Sequence, residues 1–450
     1  MPLLGNNILM AIKLRTKLPF IIIALLVLVP TQVMAADGAT LNAGNTAWIL
    51  TATALVLLMT MPGIALFYGG LVSAKNVVSV LMHCFSIACV ISVLWFLFVY
   101  SLAFGDGGGA NEVIGGFGKA LFLGVGFDGM VGDIPESLFF TFQMTFAVIT
   151  PALIVGAFVE RMKFAAVLMF SALWVILVYA PVCHWLWGGG FLAELGVMDF
   201  AGGLVVHATC GTAAIVVAVM LGRRRGDPPE FDQSFVVHRP AHNPGLTMVG
   251  AALLWVGWIG FNAGSALAAD GSAGMAILVT HVAAATGATT WMFIEWVHRG
   301  KPTMMGIATG VIAGLATITP ASGFVGPAGG IVIGLAGGII CYLMCIVIHK
   351  VLKIDDTLDV FAVHGVGGMV GIILTSFFAA TTLGGVGLEG SMGDQLWKQL
   401  VGIGVTVAWT ALLSAVILTF VKMTVGLRVS EAEEIEGLDV SMHGERGYNL

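Results

Sequence analysis

Two histidines carry the chemistry that most needs explaining in this sequence. His207 and His364 each sit inside an apolar run, Leu204-Val-Val-His207-Ala-Thr and Val360-Phe-Ala-Val-His364-Gly-Val. An ionisable side chain within such a run is costly to bury and marks a function by default. Imidazole accepts a proton at one ring nitrogen while donating from the other, with a pKa near neutrality. Two such rings in contact can relay a proton or hydrogen-bond a small amine along a narrow path. The alternative is a pair of neutral core histidines bonded to carbonyls. An acid precedes each histidine: Asp199 stands eight residues before His207, and Asp359 five before His364.

Asp199, in Met198-Asp-Phe-Ala-Gly-Gly203, stands where a helix is expected to begin. It can cap the free amides there, or contact a cation directly. Phe142 and Phe146 are four apart and share a helix face. Trp187 precedes three glycines, and Phe261 precedes Asn262-Ala-Gly-Ser265. Aromatic faces attract a cation by roughly 0.5–2 kcal/mol each, and a serine hydroxyl accepts a hydrogen bond from an N–H donor. Taken singly, each aromatic reads equally well as packing or as part of an interfacial belt. His184, near Trp187, reads as interfacial. No Ser/His/Asp set, catalytic carboxylate pair or His–carboxylate metal spacing stands out, and the glycine triplets lack a strand–turn–helix context. The expectation is therefore no enzyme, no metal and no cofactor. A membrane metalloenzyme built on His184, His207 and His364 is the weaker alternative, lacking a carboxylate at ligand spacing. The six cysteines form no Cys-x-x-Cys pair and read as small core hydrophobes.

The elements that must position these residues are membrane helices. Of 450 residues 58% are hydrophobic and 10% charged, against about 25% charged in a soluble domain. A mean hydropathy of +1.00 excludes an ordinary soluble globule. Apolar stretches long enough to cross a hydrocarbon core of roughly 30 Å recur along the chain, and 61 glycines suit closely packed membrane helices. Eleven spans are expected, near 45–68, 77–104, 137–158, 162–187, 200–221, 245–268, 274–297, 303–319, 328–351, 359–381 and 398–426. Of 19 lysines and arginines, only Lys119 and Lys398 fall on one side, three lie in the leader, and the rest share the other side. That asymmetry puts the C-terminus in the cytoplasm and the mature N-terminus outside. Residues 1–35 read as a cleavable signal peptide, with Lys13, Arg15 and Lys17 before an apolar core from Phe20 to Val29 and small residues ahead of the cut after Ala35. Residues 36–426 form one membrane domain, followed by a tail over 427–450. The fold class is all-α and polytopic. Spans one to five and six to ten suggest a 5+5 inverted repeat, because five is odd and consecutive units lie upside down to each other. Transporters of that kind place the substrate path at the repeat interface, and span eleven is extra.

Several motifs are similar to those of the bacterial Amt branch of the ammonium transporter superfamily. They are Met61-Pro-Gly-Ile-Ala-Leu-Phe-Tyr-Gly-Gly70, Trp187-Gly-Gly-Gly190, Asp199-Phe-Ala-Gly-Gly-Leu-Val-Val-His207, Gly260-Phe-Asn-Ala-Gly-Ser265 and Phe361-Ala-Val-His-Gly-Val366. The resemblance continues through Ser376-Phe-Phe-Ala-Ala380, Leu383-Gly-Gly-Val-Gly387 and Val425-Gly-Leu-Arg-Val429, covering essentially the whole mature chain. It implies ammonium recruitment by Trp187, Phe146 and Ser265, a gate of Phe146 and Phe261, a pore with a proton relay at His207 and His364, and supporting roles for Asp199, Phe142 and Gln143. It implies a homotrimer in the lipid of the inner membrane, ammonia or ammonium as substrate with methylammonium as analogue, electrogenic passage, and no nucleic-acid partner. The tail, with Glu436-Gly-Leu-Asp439 and His443-Gly-Glu445, implies a cytoplasmic regulatory latch binding a PII-type (GlnK-like) signal protein. An ammonium sensor with an added output domain is the second class, against which the short tail argues. The stretches 105–136 and 222–244 match the family less closely.

Overall fold

A computed structural model of the protein describes residues 40–225 and 240–449. The expected leader lies outside the described residues. Inside a bilayer every backbone N–H and C=O must be bonded within its own segment, so an apolar chain crosses as helix. Eleven helical segments have the length and composition to do so: Ala43–Leu71, Ala74–Phe104, Glu136–Phe158, Phe164–Leu195, Gly203–Leu221, Pro244–Gly264, Gly271–Arg299, Met304–Ala321, Pro327–Val351, Phe361–Phe378 and Met392–Thr424. They are numbered as spans one to eleven. Each matches an expected span in order.

Several spans run longer than hydropathy suggested, and at spans one, seven and eleven polar caps lengthen the first turn. Asn42 accepts the amides of Gly44 and Asn45 ahead of span one, and Asp270 accepts those of Ser272 and Ala273 ahead of span seven. Ser391 and Asp394 form a reciprocal capping box at the start of span eleven. Caps satisfy the orphan amides of the first turn, and their polarity hides that turn from an apolar-run reading.

The spans enclose a centre rather than lying in a row. Span three is the most enclosed and span eleven the least, with 83% and 28% of their most apolar windows buried. Spans five and ten cross at contact distance: a Cβ on Gly211 would sit 2.3 Å from the Gly365 Cα. Two glycines back to back let these backbones approach as no larger pair could. Five of the cysteines are buried, as expected, but Cys89 is exposed on the outer face of span two; its helix turn points it away from the bundle.

Buried charge gathers at one end of the bundle. Arg161, between spans three and four, is fully buried and donates to the Ala157 and Asp355 carbonyls and the Thr357 hydroxyl. Arg224, after span five, pairs with Glu160 at 2.9 Å and Asp355 at 3.0 Å. Burial alone would raise the Asp355 carboxyl, but the Arg224 and Arg161 guanidiniums override it and hold it well below the usual carboxylate range.

The tail docks on this cluster. Glu434 receives Arg428 at 2.9 Å and the Arg225 amide at 2.7 Å. The Leu438 amide donates to Asn76, and the Ser79 amide at the start of span two donates to Asp439 at 2.8 Å. The Lys75 ammonium donates to the Ile435 carbonyl. Between the two short tail helices, Glu431–Glu436 and Leu438–His443, Gly437 has φ +108°, and a Cβ there would lie 2.7 Å from the Lys75 carbonyl oxygen. Only glycine fits both demands. Gly437→Ala is expected to release the tail while leaving the eleven spans intact: limited proteolysis of purified protein should cut near residue 430 roughly tenfold faster, in line with about 1–2 kcal/mol of lost docking, with no shift in the bundle's main unfolding transition.

Candidate functional site

The histidines come together through matching local structures. Span five opens with a π-helical turn, Gly203–Ala208, containing His207, and span ten opens with another, Phe361–Gly365, containing His364. π-turns often mark functional sites because they rotate one side chain out of the regular helical register. A buried acid holds the mouth of each. Asp199 accepts four backbone amides, from Gly202 at 3.0 Å, Gly203 at 2.6 Å, Leu204 at 2.8 Å and Val205 at 3.2 Å. At span ten that role belongs to Asp356, which accepts the Phe361 amide at 2.7 Å.

The expected partner of Asp199 in the repeat was Asp359, and the structure corrects this. Asp359 has φ +59° and turns away to pair with His349 at 2.8 Å. Asp356 precedes His364 by eight residues, the same interval that separates Asp199 from His207. The equal spacing is present in the sequence.

At the centre His207 and His364 face each other, Nδ1 to Nδ1 at 3.2 Å. A bond between two such nitrogens requires one to donate and the other to accept, so the pair shares one proton between these atoms. Trp258 was not singled out from the sequence. Its ring stacks on His207 at 5.4 Å and lies nearly parallel to His364 at 6.5 Å, while its Nε1 donates to Thr319 at 2.8 Å. Phe261 lies beside Trp258, with centroids 5.6 Å apart, and its ring is 5.9 Å from His207. Trp258 thus lies against both imidazoles and Phe261 against His207, and His207 Nε2 is buried with no protein partner.

The open space falls into three parts. At the end away from the tail, a cavity of about 180 Å³ is lined by Phe104, Gln143, Phe146, Trp187, Phe200 and Ser265, among others. Trp187 meets Phe146 edge-on at 5.7 Å, and its Nε1 donates to the Asp199 carbonyl at 2.9 Å. Ser265 donates its hydroxyl to the Phe261 carbonyl, leaving oxygen lone pairs free to accept. Phe142 packs behind Phe146 at 5.1 Å. Phe146 and Phe261, with ring centroids 4.4 Å apart, close the floor of this cavity.

Below them lies a void of about 10 Å³, walled by Met59, Ile149, Leu254, Ile312 and the two histidines, among others. That is about the minimum that admits one water. Tyr68 also lines it, with its hydroxyl engaged by the Leu153 carbonyl at 3.0 Å. The third part, about 190 Å³, opens toward the tail end past Glu295, Arg299 and Asp359.

The structure thus brings Phe146, Phe261, His207 and His364 into one file, with Trp187, Ser265 and Gln143 at its entrance. Asp199 is buried behind the wall and caps a helix. His184 stands apart from the histidine pair and is fully buried, with one ring nitrogen 2.9 Å from the Ala103 carbonyl and the other 2.6 Å from the Asn111 carbonyl.

A bundle of eleven apolar spans with two open cavities on either side of a narrow apolar constriction fits a membrane transport protein. Comparison with known proteins specifies which kind: the model of the Ammonium Transporter Family matches residues 47–448, and the chain belongs to that family. It is 48% identical over 410 residues to an ammonium transporter of Bacillus subtilis, covering 90% of this chain and 98% of that one. It is 45% identical over 407 residues to the ammonium transporter Amt1 of Archaeoglobus fulgidus, covering 90% and 99%. Among solved structures it resembles a protein described as a sensor Amt protein (31% identity, TM-score 0.81, covering 89% and 98%) and Mep2 of Saccharomyces cerevisiae (35%, 0.78, 88% and 89%).

Burial and the nearby Asp359 raise the Asp356 carboxyl to about 6. The fold therefore favours the protonated acid. Its contribution is complete below about pH 4 and is lost as pH rises through about 6, a change of roughly 3 kcal/mol. Asp355 titrates well below that window. Thermal stability in detergent is expected to fall between pH 4.5 and 7 in the wild type, and Asp356→Asn, which keeps an acceptor for the Phe361 amide, is expected to flatten that slope. An unchanged slope would contradict the assignment.

Proposed function

We propose that this ammonium transporter family member recruits ammonium from outside the cell at Trp187, Phe146 and Ser265, removes a proton near the phenylalanine pair, and conducts ammonia past His207 and His364. The proton travels separately along the histidine pair, and transport is electrogenic. The observation carrying this reading is the narrow, largely apolar constriction between two open cavities. An unpaired cation there has no water shell, no carboxylate and no more than the aromatic faces to replace its hydration, and burying such a charge costs several kcal/mol. Neutral ammonia has no such penalty, and ring nitrogens facing the void offer it hydrogen bonds. At the entrance the order reverses: Trp187 and Phe146 present π faces, Ser265 presents a lone pair, and the cation is favoured by roughly 0.5–2 kcal/mol per ring.

The same reading assigns the remaining parts. The tail end is cytoplasmic, in keeping with the basic loop residues that gather there, and the membrane is a bacterial inner membrane. Residues 1–35 are a removable leader, and residues 427–450 are a regulatory tail that meets a PII-type signal protein. Three copies assemble, each with its own path.

Charge movement in proteoliposomes after an ammonium jump tests the relay. Wild-type protein is expected to give a transient current. His207→Ala combined with His364→Ala is expected to lower it by more than about tenfold, the lower bound being 1.4 kcal/mol of barrier. An unchanged current in the double variant would remove the histidines from the proton path. Ammonia uptake without current in the wild type would make the protein a neutral gas channel.

A further inference from the structure

One reactive group in the core has no part in the conduction scheme. Cys210 follows His207 by one helical turn, is fully buried, and directs its thiol at the His207 carbonyl, with sulfur and oxygen 3.4 Å apart. One ring nitrogen of His207, one of His364 and the Cys210 sulfur lie within 4.8 Å of one another. Among the described residues this is the one cluster of three metal-ligating side chains that gathers so closely. A second observation points the same way: His207 Nε2 is buried and unpartnered, so the ring can hold its proton there and turn Nδ1 into a free donor. From the sequence the cysteines were expected to be inert packing, and the metal alternative used His184, whose nitrogens are both occupied.

We propose that His207, His364 and Cys210 form a binding site for a soft monovalent metal cation of the copper(I) type, and that an ion lodged there blocks the path. The blocking half of this rests on the reading of the histidine pair as pore lining. Two imidazoles and a thiolate are a soft donor set that suits such ions and not potassium, sodium or magnesium, which seek oxygen ligands. Charge selects monovalent over divalent. When the ion binds, the Cys210 S–H bond breaks, a metal–sulfur bond forms and the proton leaves to solvent. One positive charge enters as another departs, so the dry interior stays neutral. A divalent ion would leave a net positive charge in a space too small to hydrate it. The ring that now donates its Nδ1 proton carries it on Nε2 instead, so no further proton is lost. Occupancy replaces the His207–His364 hydrogen bond with two metal–nitrogen bonds and ties up both histidines that wall the void.

Silver(I) is the probe, since it is redox-inert under assay conditions. Purified full-length protein is expected to retain one silver ion per chain through gel filtration, with sulfur and nitrogen scatterers at the silver absorption edge, and ammonium-driven current in proteoliposomes is expected to fall on silver addition. Cys210→Ala and Cys210→Ser are expected to keep the uninhibited current, lose the sulfur scatterer and need about tenfold or more silver for the same inhibition. Cys89→Ser is expected to change nothing. Equal silver sensitivity in wild type and both Cys210 variants, or no retained silver, would overturn the proposal. Cys210-dependent silver binding in a protein that carries no ammonium current at all would leave the metal site standing and overturn the transport reading instead.

Discussion

The hydrogen bond between His207 and His364 holds its place because two chain segments deliver imidazoles to the same point from opposite ends of the bundle. Each arrives on a π-helical turn, and each turn is pinned at its mouth by a buried carboxylate gripping backbone amides, Asp199 for span five and Asp356 for span ten. The spans then cross where Gly211 meets Gly365 with no side chain between them. Change the spacing of acid and histidine, or add a methyl at the crossing, and the rings no longer face each other. Trp258 lies against both rings once they have arrived, and Phe261 against His207.

This arrangement explains why polar residues are distributed as they are. Charge is abundant at the tail end, where Glu160, Arg161, Arg224, Asp355, Arg428 and Glu434 neutralise one another and fasten the tail to the bundle. Aromatic and hydroxyl groups dominate the opposite entrance. Between them the path contains imidazole and a satisfied tyrosine hydroxyl and no formal charge. The proposed separation of ammonia from its proton rests on this contrast between an aromatic and hydroxyl-lined entrance and an uncharged middle.

Much of this was legible in the sequence, for identifiable reasons. Eleven spans announce themselves through length and hydropathy, and two intramembrane histidines stand out because they are costly to bury. The pairing of Phe146 with Phe261 depended on family resemblance, since packing and gating aromatics share one composition. Asp356 is hard to tell from Asp359 because linear proximity is a poor guide to which carboxylate caps a turn; the eight-residue interval shared with Asp199 and His207 is the available signal. Trp258 and Cys210 could not be singled out. One is among eleven tryptophans and the other among six cysteines, and only three-dimensional placement separates them from ordinary packing.

The most direct test of the central claim is the ratio of charge to nitrogen moved through the wild-type protein. Labelled methylammonium uptake and integrated current would be recorded on the same proteoliposomes, with potassium as the sole permeant cation in a parallel experiment. One elementary charge per amine, with no potassium current, is the outcome expected when ammonia and its proton cross by separate routes. A ratio of zero would show that no proton accompanies the amine, and a potassium current of comparable size would show that bare cations pass the constriction; either result would contradict the account.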